Sequence, residues 1–215
     1  PNLRCQPVDP DINADILNPA RTQYNVCVIA VPGMFEGEPA LISAYQWCDR
    51  DWLVILSWMI GTCAKQVEFR DNGVHPLYAA VGSSQTGSLG TTFTRTLSRN
   101  GEQLIRLEYT PEEMIEPSDM SFFTSAFPLL SERHIPDLNV PAAGKPLIHD
   151  LTQMLLEDGN AQNFMRGPAK LDFNAFADNE ELGPLQPTEV LGGFRWQTSW
   201  VMPGIKTVHD YLKDA

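Results

Sequence analysis

Tyr24–Val31 reads YNVCVIAV and Pro39–Trp47 reads PALISAYQW, and these two runs decide the fold class. Both are short, rich in β-branched and aromatic residues, and separated by the breakers Pro32, Gly33 and Gly37, which is the pattern of strands and not of helices. The same pattern returns in Pro76–Val81 (PLYAAV), Ser88–Leu97 (SLGTTFTRTL) and Glu102–Tyr109 (EQLIRLEY). The turn Arg99-Asn100-Gly101 between the last two is a hairpin signal, because Asn and Gly accept positive φ at low steric cost. In the second half, Leu147–Glu157, Asn163–Phe173 and Glu189–Val201 are the strand candidates. Repeated short strands with tight connections predict a mainly β protein with a few helices (β+α), built on an antiparallel sheet or barrel.

One segment breaks the rhythm. In Asp49–Gly61 (DRDWLVILSWMIG) Trp52, Ile55, Leu56 and Met59 recur at i, i+3, i+4 and i+7. Asp49 or Asp51 is placed to cap the start, and Gly61 to take the left-handed conformation after the end. A buried helix with that apolar face is expected. A second, short helix is expected over Ile205–Lys213, and another after Pro111 within the acidic connection Thr110–Ser121. An acidic loop fills Asp178–Pro187, and residues 1–23 read as an irregular arm with prolines at 7, 10 and 19. The first residue, Pro1, suggests that the natural N-terminus precedes it. No linker or repeat divides the chain, so residues 1–215 are expected to form a single domain.

Composition removes several classes of function. The net charge is -12 with only 15 Lys and Arg in 215 residues, which leaves no basic patch for phosphates and excludes nucleic acid as the expected partner. No run approaches the roughly 18 apolar residues of a membrane helix, so neither a membrane partner nor a membrane location is expected. Cys5, Cys27, Cys48 and Cys63 are widely spaced with no CxxC, as in small buried residues of a reducing, cytoplasmic compartment. His75, His134, His149 and His209 show none of the short spacings of zinc sites. No metal and no cofactor are expected, and nucleophile-elbow, phosphate-loop and dinucleotide fingerprints are absent from the sequence.

The chain has five lysines. Lys145, Lys206 and Lys213 sit beside turns or at the terminus, and Lys170 alternates with Asp172 on a polar face, so these four point to water. Lys65 differs. In Thr62–Arg70 (TCAKQVEFR) the odd positions are Cys63, Lys65, Val67 and Phe69, which places Lys65 on the apolar face if the run is a strand. Loss of hydration there disfavours the ammonium form and enlarges the fraction of neutral amine able to attack a carbonyl. The bland reading is a lysine that snorkels from a strand edge or pairs with a buried carboxylate.

Other polar and aromatic candidates follow from alternation. Arg95 shares a face with Leu89, Phe93 and Leu97, where it can bind a carboxylate or enolate oxygen; a salt-bridged structural arginine is the more ordinary reading. Tyr45, Trp47, Trp58 and the late Trp196 and Trp200 can form an aromatic pocket for a hydrophobic substrate, or plain core. Arg195 alternates with Glu189 and Gln197 opposite Val190, Phe194, Trp196 and Trp200, the pattern of a wet sheet face. His134 and His149 have the chemistry for acid or base work near neutral pH, and their spacing marks them as ordinary surface residues.

A set of motifs in order links the chain to a family. Phe164-Met165-Arg166-Gly167-Pro168-Ala169-Lys170-Leu171 resembles the Ala-Trp-Thr-Gly-Pro-(small)-X-Leu stretch of the acetoacetate decarboxylase family. Val208-His209-Asp210-Tyr211-Leu212 resembles that family's Val-(His/Tyr)-Asp-Tyr-Leu ending. Pro187-Thr188-Glu189-Val190 is similar to its Leu-Pro-Val-X-Glu-(Ile/Val) segment. Glu132-Arg133-His134-Ile135-Pro136 with Gly144-Lys145-Pro146 is similar to its Leu-Lys-X-Ile-Pro and Asp-Gly-X-Pro stretches. The resemblance implies a cone-shaped antiparallel β-barrel enclosing a cavity, a lysine that condenses with a keto group, and a homo-oligomer. The reactive lysine of the family is the first of two in Gly-(aromatic)-Pro-Lys-Lys, after a Gly-Arg-Glu. Here Gly61-Thr62-Cys63-Ala64-Lys65-Gln66 stands in that place. Counting from the glycine aligns Ala64 with the reactive lysine, and one inserted residue aligns Lys65. The Gly-Arg-Glu gives way to residues around Leu56-Ser57-Trp58, and Gln23 or Tyr24 stands where the family has an acidic residue before its first strand.

The expected function is therefore that of a cofactor-free enzyme acting on a keto or polyketide-type small molecule, a lyase or isomerase working through an imine at Lys65. Two readings stay open beside it: a non-covalent cyclase or isomerase of secondary metabolism using the same cavity, and a non-catalytic small-molecule binding protein.

Overall fold

The computed structural model describes residues 2–4, 23–71, 89–116, 118, 128–139, 144–175 and 182–213. Twelve strands and one α-helix fall within them, in the order β1 (Asn2–Arg4), β2 (Gln23–Phe35), β3 (Glu38–Cys48), α1 (Asp51–Ile60), β4 (Ala64–Gln66), β5 (Glu68–Asp71), β6 (Phe93–Arg99), β7 (Glu102–Tyr109), β8 (Glu113–Met114), β9 (Leu129–Pro136), β10 (Pro146–Gly167), β11 (Ala169–Phe173) and β12 (Gly193–Asp210). The expected mainly β class is found, nearly all of it antiparallel. Among the described residues neither sheet closes on itself: one has the strand order β1-β2-β3-β9-β10-β12, with β4 on β3 and β8 on β10, and the other the order β11-β7-β6-β5.

The chain gathers into two compact units. The first comprises Pro1–Gln66, Ala126–Asp158 and Trp200–Ala215; the second comprises Val67–Ser125 and Gly159–Ser199. In the first unit β2 and β3 form a long hairpin whose two-residue turn, Glu36-Gly37, has φ of 52° and 87°, the positive pair that matches the twist of flanking strands. In the second unit the expected Asn100-Gly101 turn joins β6 to β7 with φ of 52° and 82°. The strand expected over Pro76–Val81 and residues 5–22 of the N-terminal arm lie outside the described residues, while residues 2–4 of that arm pair with β2.

Several expectations are corrected. Within the expected run Ser88–Leu97, Ser88 lies outside the described residues and the strand begins at Phe93, because Gly90 turns with φ of 77° just before it. Directly after Pro111 the connection holds the two-residue strand β8, where Glu113 and Met114 pair with Arg166 and Met165; beyond it Ser118 is in 3-10 conformation, and residues 117 and 119–121 lie outside the described residues. Asn163–Phe173 is not one strand, since Pro168 has no N–H for the ladder and divides β10 from β11. Ile205–Asp210 continues β12, and only Tyr211 and Leu212 turn, so no C-terminal helix forms. The apolar spacing of Val208, Tyr211 and Leu212 was too short to distinguish the two periods.

Helix α1 occupies its expected place, with Gly61 left-handed at φ 100° and its N–H closing the last turn on the Ser57 and Trp58 carbonyls. Its buried face differs from the expected one. Leu53 and Ser57 are buried, Trp52 and Leu56 half-buried, and Ile55 and Met59 exposed. A helix apolar almost all round contains more than one candidate stripe, and the one selected is the one that meets Val26, Cys48 and Ala64 on the sheet. Neither Asp49 nor Asp51 caps α1 in the usual way. The N-cap residue is Arg50, whose side chain makes no capping hydrogen bond. Asp49 instead accepts hydrogen bonds from the Asn25 backbone and side-chain amides at 2.9 and 2.8 Å.

The C-terminal end of α1 rests on β9 and β10. Arg133 donates to both oxygens of buried Asp150 at 2.9 and 2.6 Å and to the Met59 carbonyl at 3.2 Å. The Thr152 hydroxyl lies 2.8 Å from the Ile60 carbonyl oxygen and 3.0 Å from that of Ser131. These groups satisfy helix carbonyls that have no partner within the helix. Thr207 adds a bond to Asp150 at 2.8 Å. Burial pushes the Asp150 carboxyl up, but the bonds from Arg133 and Thr207 and the charges of Arg133 and His149 outweigh it and hold the group below its usual value of 3.8.

Two outcomes follow. A Cβ on Gly61 would lie 3.1 Å from both Arg133 Cβ and Thr152 Oγ1 in a conformation that L residues rarely adopt, so Gly61→Ala is expected to lower unfolding stability by about 2 kcal/mol in urea titrations. Because the folded pKa of Asp150 lies below its unfolded one, the pair stabilises fully above about pH 4 and loses its effect as pH falls through the folded value. The stability gap between wild type and Asp150→Asn is thus expected to be about 3 kcal/mol at pH 7 and to shrink below pH 4; a constant gap in denaturant melts at pH 7 and pH 3 would contradict it.

Candidate functional site

Strand β3 has two different faces because its residues alternate. Cross-strand register places Val26, Gln46, Cys48 and Ala64 on one of them. That face meets α1: Gln46 donates to Ser57 Oγ at 2.8 Å, and Val26, Cys48, Ala64 and Leu53 form a core cluster. The other face carries Cys27 and Ile29 from β2, Tyr45 and Trp47 from β3, and Lys65 from β4. Trp47 and Lys65 are direct partners in the parallel pairing of β3 with β4. Tyr45 stacks on Trp47 with ring centroids 5.9 Å apart and planes 9° from parallel.

Lys65 is half-buried. It has apolar neighbours, but they are not the ones expected from its own strand. Cys63 is exposed, β4 ends at Gln66, and β5 begins at Glu68 in the other sheet, so no single alternation runs from Cys63 to Phe69. The apolar surface beside Lys65 comes from Tyr45 and Trp47 across the ladder. Ala64, the other position aligned with the family's reactive lysine, is 2% exposed and packed in the α1 core. Trp47 is 0% exposed, and its indole Nε1 is buried with no hydrogen-bond partner. A buried donor left unsatisfied costs about 1–3 kcal/mol, and each such group in a folded protein calls for an explanation, such as a catalytic role or a bound water or ion.

The remaining candidates divide between the units. Trp58 is half-exposed on α1 and its indole N–H donates to the Ala64 carbonyl at 2.9 Å, which ties the helix to β4. Tyr24 packs edge-on against Trp52, centroids 5.5 Å apart, beside the core cluster on the helix side of the sheet. The backbone of Gln23 pairs with Arg4, and its side chain lies outside the described ones. Arg95 belongs to the second unit, where it is ion-paired with Asp71 at 2.5 Å. Lys145, Lys170, Lys206 and Lys213 are exposed, as expected.

Neither Cys48 nor Cys63 is an activated nucleophile. Burial pushes the thiols of Cys48 and Cys63 up; Asp49 adds to the effect on Cys48 against a backbone hydrogen bond, and Glu132 adds to it on Cys63. The exposure of Cys63 corrects the expectation of a buried residue. His134 and His149 are cross-strand partners with rings 5.0 Å apart, and His149 Nε2 lies 2.8 Å from Glu132, a juxtaposition that their distance in sequence conceals. Among the described residues no group of three or more His, Cys, Asp or Glu side chains is placed to hold a metal ion, and no helix is long and apolar enough to cross a membrane. Sequence reading named Trp47 as a pocket aromatic and missed its unpaired N–H. Its place in a strand pattern was visible, but the lack of a partner depends on every neighbour.

Comparison with known proteins agrees with this architecture. An acetoacetate decarboxylase-like enzyme from Sphingomonas wittichii RW1 superposes with a TM-score of 0.77 at 22% identity, covering 92% of this chain and 74% of that one. The enduracididine biosynthesis enzyme MppR, with HEPES bound, superposes with a TM-score of 0.72 at 20% identity over 92% and 69% of the two chains. The acetoacetate decarboxylase of Legionella pneumophila subsp. pneumophila str. Philadelphia 1 does so at 0.72 and 17% identity, over 88% and 68%. No curated protein matches the chain in sequence. These likenesses establish a shared fold, and the acetoacetate decarboxylase family model matches residues 9–212. The chain belongs to the acetoacetate decarboxylase family.

Proposed function

We propose that the protein is a cofactor-free enzyme of small keto compounds, a lyase or isomerase in which Lys65 condenses with the substrate carbonyl. The observation that carries this reading is the direct pairing of Lys65 with Trp47, whose buried indole N–H lacks an acceptor. In the proposed reaction the neutral Lys65 amine adds to the keto carbon, water leaves, and the protonated imine draws electrons from the adjacent bond as it breaks. The Trp47 N–H supplies a fixed donor for a substrate oxygen, and the stacked Tyr45 ring a flat apolar wall.

Two comparisons support the substrate class. MppR has been solved with pyruvate and with the condensation product of pyruvate and imidazole 4-carboxaldehyde, and both ligands are keto compounds or derive from one. The closed barrel and its cavity, and a homo-oligomer, belong to the same proposal through the family resemblance. The exposed Ile55, Trp58 and Met59 on α1 are consistent with a subunit contact.

Reduction with borohydride in the presence of pyruvate or acetoacetate is expected to attach one substrate-derived group to the wild-type chain and none to Lys65→Ala, as read by intact mass spectrometry; for pyruvate the gain is the mass of the acid less one oxygen, since water leaves on condensation and two hydrogens add on reduction. Labelling that persists in Lys65→Ala would end the imine reading. Turnover that persists without labelling would favour the non-covalent cyclase or isomerase, and tight binding without turnover a binding protein. Trp47→Phe, which keeps an aromatic ring but removes the N–H, is expected to weaken substrate binding about tenfold while labelling at saturating substrate survives.

A further inference from the structure

The second unit contains two groups that none of the chemistry above employs. Tyr109, at the end of β7, is 7% exposed, and its hydroxyl is buried with no hydrogen-bond partner. Burial pushes its pKa up to about 12, with only the charge of Arg195 acting against the rise, so the phenol stays a protonated donor at any ordinary pH. Arg195 lies over the ring of Phe93, 4.8 Å from guanidinium carbon to centroid, and no carboxylate among the described residues pairs with it. An arginine stacked on an aromatic face keeps its in-plane N–H groups free for an anion.

The backbone explains why these groups meet. Phe93 and Tyr109 are direct partners across β6 and β7, and Ala169 of β11 is the partner of Tyr109 on its other side. Gly193 opens β12 against this row: a Cβ there would lie 2.5 Å from Tyr109 Cδ2 and 2.9 Å from Ala169 Cβ. Only glycine permits that approach. Two residues on, and therefore on the same side of the strand, stands Arg195. One strand thus lays bare backbone on Tyr109 and a cation on Phe93.

We infer that Tyr109 and Arg195 form an anion subsite for a monocarboxylate, with one carboxylate oxygen accepting from the Tyr109 hydroxyl and the other from the Arg195 guanidinium. The class follows from the donors. One positive charge and one neutral hydroxyl match a single negative charge shared by two oxygens, whereas a phosphate dianion would bring excess charge to a chain already at -12. Arg195 is exposed, so a carboxylate reaches its guanidinium from solvent. The subsite is built entirely from the second unit and does not rest on an imine at Lys65.

Acetate is the suitable probe because it has no keto group and cannot form an imine. In titrations of the full chain followed by amide and guanidinium NMR, sodium acetate is expected to shift the Gly193 amide and Arg195 Nε signals saturably. The dissociation constant should rise at least tenfold in Arg195→Gln and at least threefold in Tyr109→Phe, and sodium phosphate at equal concentration should bind more weakly than acetate. Because Tyr109→Phe removes an unsatisfied hydroxyl and keeps the ring, its melting temperature is expected to equal or exceed that of wild type. Shifts that grow linearly with acetate, wild-type affinity in both variants, or tighter phosphate binding would overturn the subsite. A lower melting temperature of Tyr109→Phe would overturn it too, since the hydroxyl would then have a structural partner.

Discussion

The end of α1 is held against β9 and β10 by a contact that allows no side chain. Gly61 sits at φ 100° with Arg133 and Thr152 close enough to exclude a Cβ, and those same two residues satisfy the Met59 and Ile60 carbonyls. Glycine therefore does two jobs at one position: it reverses the chain and lets the sheet reach the helix terminus. Arg133 is in turn oriented by Asp150, and Asp150 by Thr207. The direction in which the chain leaves this joint sets β4 beside β3, and with it the pairing of Lys65 with Trp47.

From that joint the chemistry of the first unit divides by strand face. The side of β3 that meets α1 is filled by small and aliphatic residues and is spent on packing. The opposite side carries an amine, a stacked aromatic pair and an unsatisfied indole donor. A lysine at position 64 would have to enter the packed side, where a charged or reactive amine has neither room nor an accessible partner. The departure from the family's two-lysine motif leaves the single amine on the side of the sheet away from α1.

The second unit uses the same device of close backbone approach. Gly193 on Tyr109 parallels Gly61 on Arg133, and Gly167 comes closer still, since a Cβ there would lie 1.9 Å from the Thr110 carbonyl oxygen. Gly167 precedes Pro168 in the stretch that carries part of the family resemblance, and Gly193 approaches Ala169 of the same stretch across the sheet. The motif is accordingly a packing requirement, in which backbone meets backbone or ring without an intervening side chain, and its presence reports on the fold more directly than on the reaction.

Sequence alone determined the features that depend on neighbours a few residues away: the strand character of β2, β3 and β7, the Asn100-Gly101 hairpin, the existence of α1 with Gly61 at its end, and the family. These rest on alternation, turn conformation and ordered motifs, all of which are local. Tertiary structure alone decided which side of α1 is buried, that Ile205–Asp210 extends a strand, that Lys65 owes its apolar setting to Tyr45 and Trp47 and not to Val67 or Phe69, and that Arg95 is held by Asp71. It also decided that Trp47 and Tyr109 carry buried donors without acceptors. Burial and hydrogen-bond satisfaction are sums over groups distant in the chain, so no window of sequence contains them.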